Sequence, residues 1–316
     1  MNTDNKLRLV ALVLALALPW LLTDVWTLRF TMALTFALTL LGLNLLIGYC
    51  GVASLGHAGF MLLGAYATAI LVTRTPLGWT VAIIGGGVVS GVVSFLFAYP
   101  IKRLDRTLLA LTTMSFAAAL PQLVRHPKLA IWTGGSDGIV LDPLQVPDAI
   151  AKWGVRSDTW YYYVVLLCLV LGYAVLVHLL KNRTGRAIQA VREHPISAAS
   201  MGINVNATKI FAFAISAIYA GVAGGLFAMQ IQFVSADSFS LFDSMILAVG
   251  IVVGGLASLA GAVIGAFFIR FVPTAAGAVS TAAPWAVFGI AIALTVYFLP
   301  RGIVGGMRAW AARFTR

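Results

Sequence analysis

Long apolar runs separated by short polar segments organise this chain. They occur at about 9–22, 30–48, 52–72, 79–100, 107–124, 159–180, 210–230, 243–257, 259–272 and 284–299. Most approach the ~20 residues that an α-helix needs to cross the hydrocarbon of a bilayer. The pattern therefore predicts an all-α, polytopic membrane protein: one domain over 1–316 with about ten transmembrane helices. Phe30–Gly48 is the cleanest run, with no charge and a single amide, Asn44. Around Gly48–Gly59 and Gly254–Gly265 no charge marks the turns, so broken or re-entrant segments are expected there. The two regions echo each other. Gly51-Val-Ala-Ser-Leu55 matches Gly255-Leu-Ala-Ser-Leu259 at four of five positions, and small residues follow in both. Glycine-interrupted segments in corresponding places of two halves point to a transporter's binding region; chance similarity between short runs of small residues is the alternative.

Two longer polar segments differ in kind. Segment 125–158, assigned to the outside, holds Thr-Gly-Gly-Ser-Asp-Gly at 133–138 and Pro127, Pro143 and Pro147. Turn chemistry predicts an ordered loop with a short helix. Its glycines lack the Lys-Ser/Thr and the flanking βα unit of a phosphate cradle. Segment 181–209, assigned to the inside, reads as two short helices. Thr184 caps the first, which runs to about Glu193. Pro195 suits the first turn of the second, with Ile196, Ala199 and Ile203 on one face. Gly202 and Asn204 end it. Such a loop is either a structured connector or a docking element for a partner's groove.

Composition narrows the class. The chain is 61% apolar and 10% charged, against about 25% charged in soluble domains. A globular soluble enzyme, a disordered chain and a coiled coil are all excluded. The net charge of +11 suggests nucleic acid until it is placed on the topology. With both termini inside, inner segments hold 14 of the 21 Lys and Arg, outer segments hold six, and Arg270 falls near the outer end of a span. That asymmetry is the positive-inside signature, not a nucleic-acid patch. Lys6 and Arg8 followed by Ala15-Leu-Ala17 also fit a secretory leader, but the apolar run continues through Pro19 to Leu22. Cys50 and Cys168 lie in apolar runs without metal spacing and read as packing residues.

The chemistry favours transport over catalysis. Asp and Glu are absent from the interiors of the predicted spans. The four histidines, His57, His126, His178 and His194, fall in four different segments, and no nucleophile–base set or metal cluster can be assembled from them. Proton-driven carriers keep ionisable relays in the membrane; here only His57 qualifies. An external energy source fits better, and no room exists in this chain for an ATPase domain. The expected solute path is the broken segment Ser54, Leu55, Gly56 and His57, with Asn44 nearby. Unwound backbone at membrane depth is tolerated only where it is buried or faces a water-filled cavity. Tight helix packing by Gly51, Gly56 and Gly59, with His57 as a helix–helix hydrogen bonder, is the competing reading.

Several stretches together resemble a known family. They are Gly48-Tyr-Cys-Gly-Val-Ala-Ser-Leu-Gly-His-Ala-Gly-Phe60 with Gly64-Ala-Tyr66, and Gly134-Gly-Ser-Asp-Gly-Ile139. They continue with Gly185-Arg-Ala-Ile-Gln-Ala-Val-Arg-Glu193 and Ala198-Ala-Ser-Met-Gly-Ile-Asn204. The last are Ser238-Phe-Ser-Leu241 and Val253-Gly-Gly-Leu-Ala-Ser-Leu-Ala-Gly-Ala262. In order and spacing they resemble the LivM/LivH-type permeases of branched-chain amino acid ABC importers. The resemblance implies a bacterial inner-membrane subunit with a second permease chain, two ATP-binding subunits and a periplasmic solute-binding protein as partners. ATP is then used by the partner subunits, with no cofactor on this chain and no enzymatic activity of its own. It implies that Glu193, Pro195, Ile196, Ala198, Ala199, Gly202 and Ile203 form a helix that couples to the ATPase. The Glu-Ala-Ala–x3–Gly pattern common in such couplings is kept here only at Ala198 and Gly202. The alternative function is a stand-alone secondary transporter or channel for small polar solutes.

Overall fold

A computed structural model describes residues 13–101, 106–144, 146, 156–279 and 284–307. Residues 13–21 are helical, and the main bundle then follows. Helix α1, Asp24–Leu43, continues without a break into a π-helical segment, Asn44–Tyr49. Then come α2 (His57–Arg74), α3 (Trp79–Ile101) and α4 (Arg106–Val124). Short elements follow: α5 (Ala130–Thr133) and strand β1 (Ile139–Val140). Helix α6 (Ser157–Lys181) leads to α7 (Arg183–Glu193) and α8 (Pro195–Ser200). The remainder is α9 (Val205–Ile231), β2 (Phe233–Val234), a 3₁₀ turn at Ala236–Ser238, α10 (Leu241–Gly254), α11 (Leu259–Val279) and α12 (Pro284–Phe298).

Among the described residues, eight helical segments are long and apolar enough to cross a membrane. The two other expected spans are 9–22, whose first residues lie outside the described set, and α2. The latter carries Arg74 at its end and lies in the centre of the bundle. All-α architecture thus follows from the apolar runs, and the only sheet among the described residues is the antiparallel pair Ile139↔Val234 and Val140↔Phe233. That pair clips segment 125–144 to the end of α9. The described part of the 125–158 segment carries a short helix, as its turn chemistry predicts. Its expected residues 145 and 147–155 lie outside the described set, as do Lys6, Arg8, Lys102, Arg103, Arg308, Arg313 and Arg316 of the charge argument.

Helix α9 is the axis, packing against α1, α2 and α3. It lies close enough to α2 that a side chain at Gly64 would meet the backbone of Gly221, and one at Gly224 the backbone of Met61. In lipid no hydrophobic force drives helices together, so close backbone approach through small residues takes its place. Two threonines of α1 bond within their own helix: Thr31 and Thr35 donate to the carbonyls of Thr27 and Thr31 at 2.8 and 3.0 Å. Helices α10 and α11 form a tight hairpin in which Gly254 packs on Gly261 and Gly250 on Gly265. The outer face of α3, with Val81, Ile84, Val88, Val92 and Phe95 exposed, is the apolar stripe a bilayer covers.

Candidate translocation and coupling sites

The first break follows the π segment. An amide at membrane depth needs partners, and Asn44 has both of its own. Its Nδ2 donates to the Ser258 carbonyl at 2.7 Å and its Oδ1 accepts from the Ala257 N–H at 3.0 Å. Gly48 lies against this amide, and any side chain there would strike Asn44 and the Ala257 nitrogen. Gly51, at φ 74, turns the chain out of the helix. Cys50 closes the π segment by donating to the Leu45 carbonyl at 3.0 Å, and residues 51–56 then run outside any helix until His57 begins α2. The expected span 52–72 is therefore helical only from His57. Apolar character does not separate an extended buried segment from a helix.

Side chains from three helices hold the unwound piece and the start of α2. The Leu55 N–H donates to Thr113 Oγ1 of α4 at 3.0 Å, and the Ala58 N–H donates to Ser244 Oγ of α10 at 3.0 Å. His57 Nδ1 lies 3.1 Å from Ser54 Oγ, and its Nε2 lies 2.6 Å from Ser216 Oγ of α9. A neutral imidazole offers one donor and one acceptor, and either tautomer can be matched by rotating hydroxyls. Asn44, Ser54, Gly56 and His57 are all buried, while Gly51, Ala53 and Leu55 are partly exposed. The segment thus has a period-two exposure: one edge is bonded into the bundle and the other is open. Of the residues expected to line a path, Leu55 lies on the open edge. Asn44, Ser54, Gly56 and His57 lie behind it.

The second break is the turn between α10 and α11. Gly255 has φ 124 and Ala257 has φ 56, a left-handed value that a residue with a Cβ rarely adopts. The two echoing stretches lie close together in the fold, because the π segment before the first bonds directly to the second. Among the partners of the candidate residues, Ser258 belongs to the second echoing stretch, whereas Thr113, Ser216 and Ser244 carry no distinguishing sequence signal.

Segment 181–209 folds as two short helices before α9, with boundaries that shift from those expected. Asn182, rather than Thr184, stands at the N-cap of α7. Gly185, Ile188 and Val191 are buried, whereas Arg186, Arg192 and Glu193 are not. Helix α7 packs against α6, α9 and the π segment. Helix α8 begins at Pro195 and ends at Ser200, short of the expected Ile203. The stop is a Schellman motif. Gly202, at φ 83, donates to the Ala199 carbonyl at 3.0 Å and Ile203 donates to the Ala198 carbonyl at 3.0 Å. Glycine is needed at 202 for its backbone; no atoms crowd it within 4 Å. Asn204 caps the next helix, with Oδ1 accepting from the Ala207 N–H at 3.0 Å. Ala198 faces the bundle, while Ile196 and Met201 are 84% and 83% exposed. Glu193, Pro195 and Ala199 are also exposed. The expected apolar face of Ile196, Ala199 and Ile203 is therefore an outward knob of Ile196, Ala199 and Met201. No group of three or more His, Cys, Asp or Glu side chains able to hold a metal occurs among the described residues.

Comparisons with known proteins extend over most of the chain. The profile of the family described as "Branched-chain amino acid transport system / permease component" matches residues 28–299. The LivM high-affinity branched-chain amino acid transport permease of Salmonella typhimurium is 33% identical over 278 residues, covering 81% of this chain and 65% of that protein. The LivM protein of Escherichia coli K12 is 32% identical over 289 residues, covering 85% of this chain and 68% of that protein. The LivH permease of the same organism is 23% identical over 292 residues, 87% of this chain and 92% of its own length. This chain thus spans about two thirds of the length of the LivM proteins it matches. No solved structure matches significantly.

Proposed function

This chain belongs to the family of branched-chain amino acid transport permease components, and from that premise we propose that it forms one half of the path of an ATP-driven importer. The solutes are branched-chain or related small amino acids, handed over by a periplasmic binding protein. The other half is a second permease chain. Two ATP-binding subunits dock on the inner face of the bacterial plasma membrane, where the charge asymmetry also puts both termini.

The observation that carries the reading is the pair of broken segments beside an outward-facing inner helix. The first break presents an open edge at Gly51, Ala53 and Leu55, backed by the hydrogen-bonded Ser54, His57 and Asn44. Backbone carbonyls on that edge offer weak, exchangeable contacts to the ammonium of a zwitterion, with Leu55, whose N–H is held by Thr113, placing its side chain beside an aliphatic one. Helix α8 presents Ile196 and Met201 as a rigid knob braced through Ala198, suited to a cleft in an ATPase subunit. Glu193, Pro195, Ala199, Gly202 and Ile203 shape that knob and its rim.

Affinity purification of the tagged chain from its native membranes tests the assembly. The expected result is two nucleotide-binding chains and a second permease in stable stoichiometry. A chain that purifies alone and catalyses amino acid uptake alone in vesicles overturns the reading in favour of a stand-alone carrier.

A further inference from the structure

The two breaks are tied to each other reciprocally. The segment preceding the first break supplies Asn44, whose amide holds both the Ala257 N–H and the Ser258 carbonyl of the second. The helix preceding the second break supplies Ser244, whose hydroxyl accepts from the Ala58 N–H just past the first. All the side chains involved are buried or nearly so: Asn44 is 0%, Ser244 1% and Ser258 8% exposed. Neither tie is incidental to a helix. The two backbone groups at 257 and 258 belong to a turn, and the N–H at 58 is one of the free donors of a helix start.

The tied region also has slack and a lever. The π segment holds an extra residue per turn that an α-helix would expel, and such bulges occur at functional sites. Ala257 stays at its left-handed φ of 56 where Asn44 grips its amide. Helix α7, joined to the knob of α8 through the single non-helical residue His194, packs on the π segment. On the other side, Gly302, at φ 74, brings the chain after α12 directly against Gly255. Displacement of α7 and α8 therefore bears on the π segment, and through Asn44 on the α10–α11 turn.

We propose that Asn44 and Ser244 are positioning residues of a reciprocal latch that makes the two broken segments move as one unit when the inner helices are displaced. The proposal rests on the permease reading above. It assigns Asn44 to the mechanics of the path and leaves solute contact to the open edge at Ala53 and Leu55. A buried amide with two partners in a turn is suited to having two discrete arrangements, which is what coupling between sites requires.

The test uses the complete transporter, purified with its partner subunits and reconstituted with leucine as the probe solute, measuring ATP hydrolysed per leucine imported. Asn44→Ala and Ser244→Ala are each expected to raise that ratio by roughly 2- to 10-fold, while Ser244→Thr, which keeps the hydroxyl, restores it. Because both residues serve one latch, the double variant is expected to be no worse than the poorer single one. Wild-type ratios in both single variants, or effects that multiply independently, overturn the latch. Should Asn44→Ala misfold, Asn44→Ala combined with Ala257→Gly is the second variant, since glycine takes the left-handed φ freely. The latch predicts that this pair stays uncoupled; recovery of the wild-type ratio shows that Asn44 only holds the shape of the turn. A wild-type complex that neither hydrolyses ATP nor imports leucine contradicts the permease reading itself and is distinct from all of these outcomes.

Discussion

His57 shows how a polar side chain is made compatible with membrane depth. Both ring nitrogens meet hydroxyls, Ser54 at 3.1 Å and Ser216 at 2.6 Å, and the ring packs edge-on to Phe60. The contacts bind the start of α2 to the middle of α9. Hydrogen bonds between membrane helices contribute about 0.6 kcal/mol on average and up to about 1.7. A double-mutant cycle of His57→Phe and Ser216→Ala, read from unfolding in mixed micelles, is expected to give a coupling of about 0.5–2 kcal/mol. Additive effects would mean that the short contact adds nothing. Much of this residue-scale picture was visible in the sequence: Asn44 and His57 stand out because almost nothing polar surrounds them. Of their partners, Ser258 lay in an echoing stretch already singled out, but Ser216 and Ser244 are unremarkable hydroxyls far away in the chain. Only folding brings Asn44 to Ser258.

Elements carry the functional division. In the non-helical stretch 51–56 buried residues alternate with partly exposed ones, so accessibility should alternate. In a background lacking Cys50 and Cys168, single cysteines at Ala53 and Leu55 are expected to react with a water-soluble thiol reagent, and cysteines at Ser54 and His57 to stay inert. Uniform reactivity, or none at any of the four, contradicts the path assignment. At the inner loop the knob predicts a separable defect. Ile196→Glu and Met201→Glu change residues that touch solvent, so folding and membrane insertion should be unaffected, while binding of the ATPase subunit falls. A buried interface charge without a partner costs about 2–5 kcal/mol, or roughly 30-fold or more in affinity. Normal ATPase retention in both variants, measured by co-purification, removes α8 from the interface. Substitution at Gly202 is a poorer probe than the sequence suggests, because any side chain strains the Schellman turn before reaching a partner. The existence and order of α7 and α8 were legible from Pro195 and the apolar spacing. The end of α8 was not, since Asn204 suits both a helix stop and the cap of α9, and the fold uses it as the cap.

At the scale of the whole molecule, the apolar runs and the charge asymmetry carry nearly all of the architecture: a helical bundle with breaks where glycine replaces charge. Hydropathy could not give the central place of α9. That place follows from Gly64, Gly221 and Gly224, whose small size matters only once α2 and α9 are in contact. Nor could hydropathy show that α2, apolar throughout, starts at His57 after an unwound approach. Helix α8 carries the exposed apolar residues Ile196 and Met201, and the proposed function assigns them to contact with an ATP-hydrolysing partner chain. The most direct measurement is leucine uptake into proteoliposomes holding the full complex, with ATP inside or outside and binding protein on the opposite side. The account predicts accumulation against a gradient only when both ATP and binding protein are present, abolished when the ATPase subunits are omitted. Undiminished leucine accumulation by this chain without those subunits would contradict it.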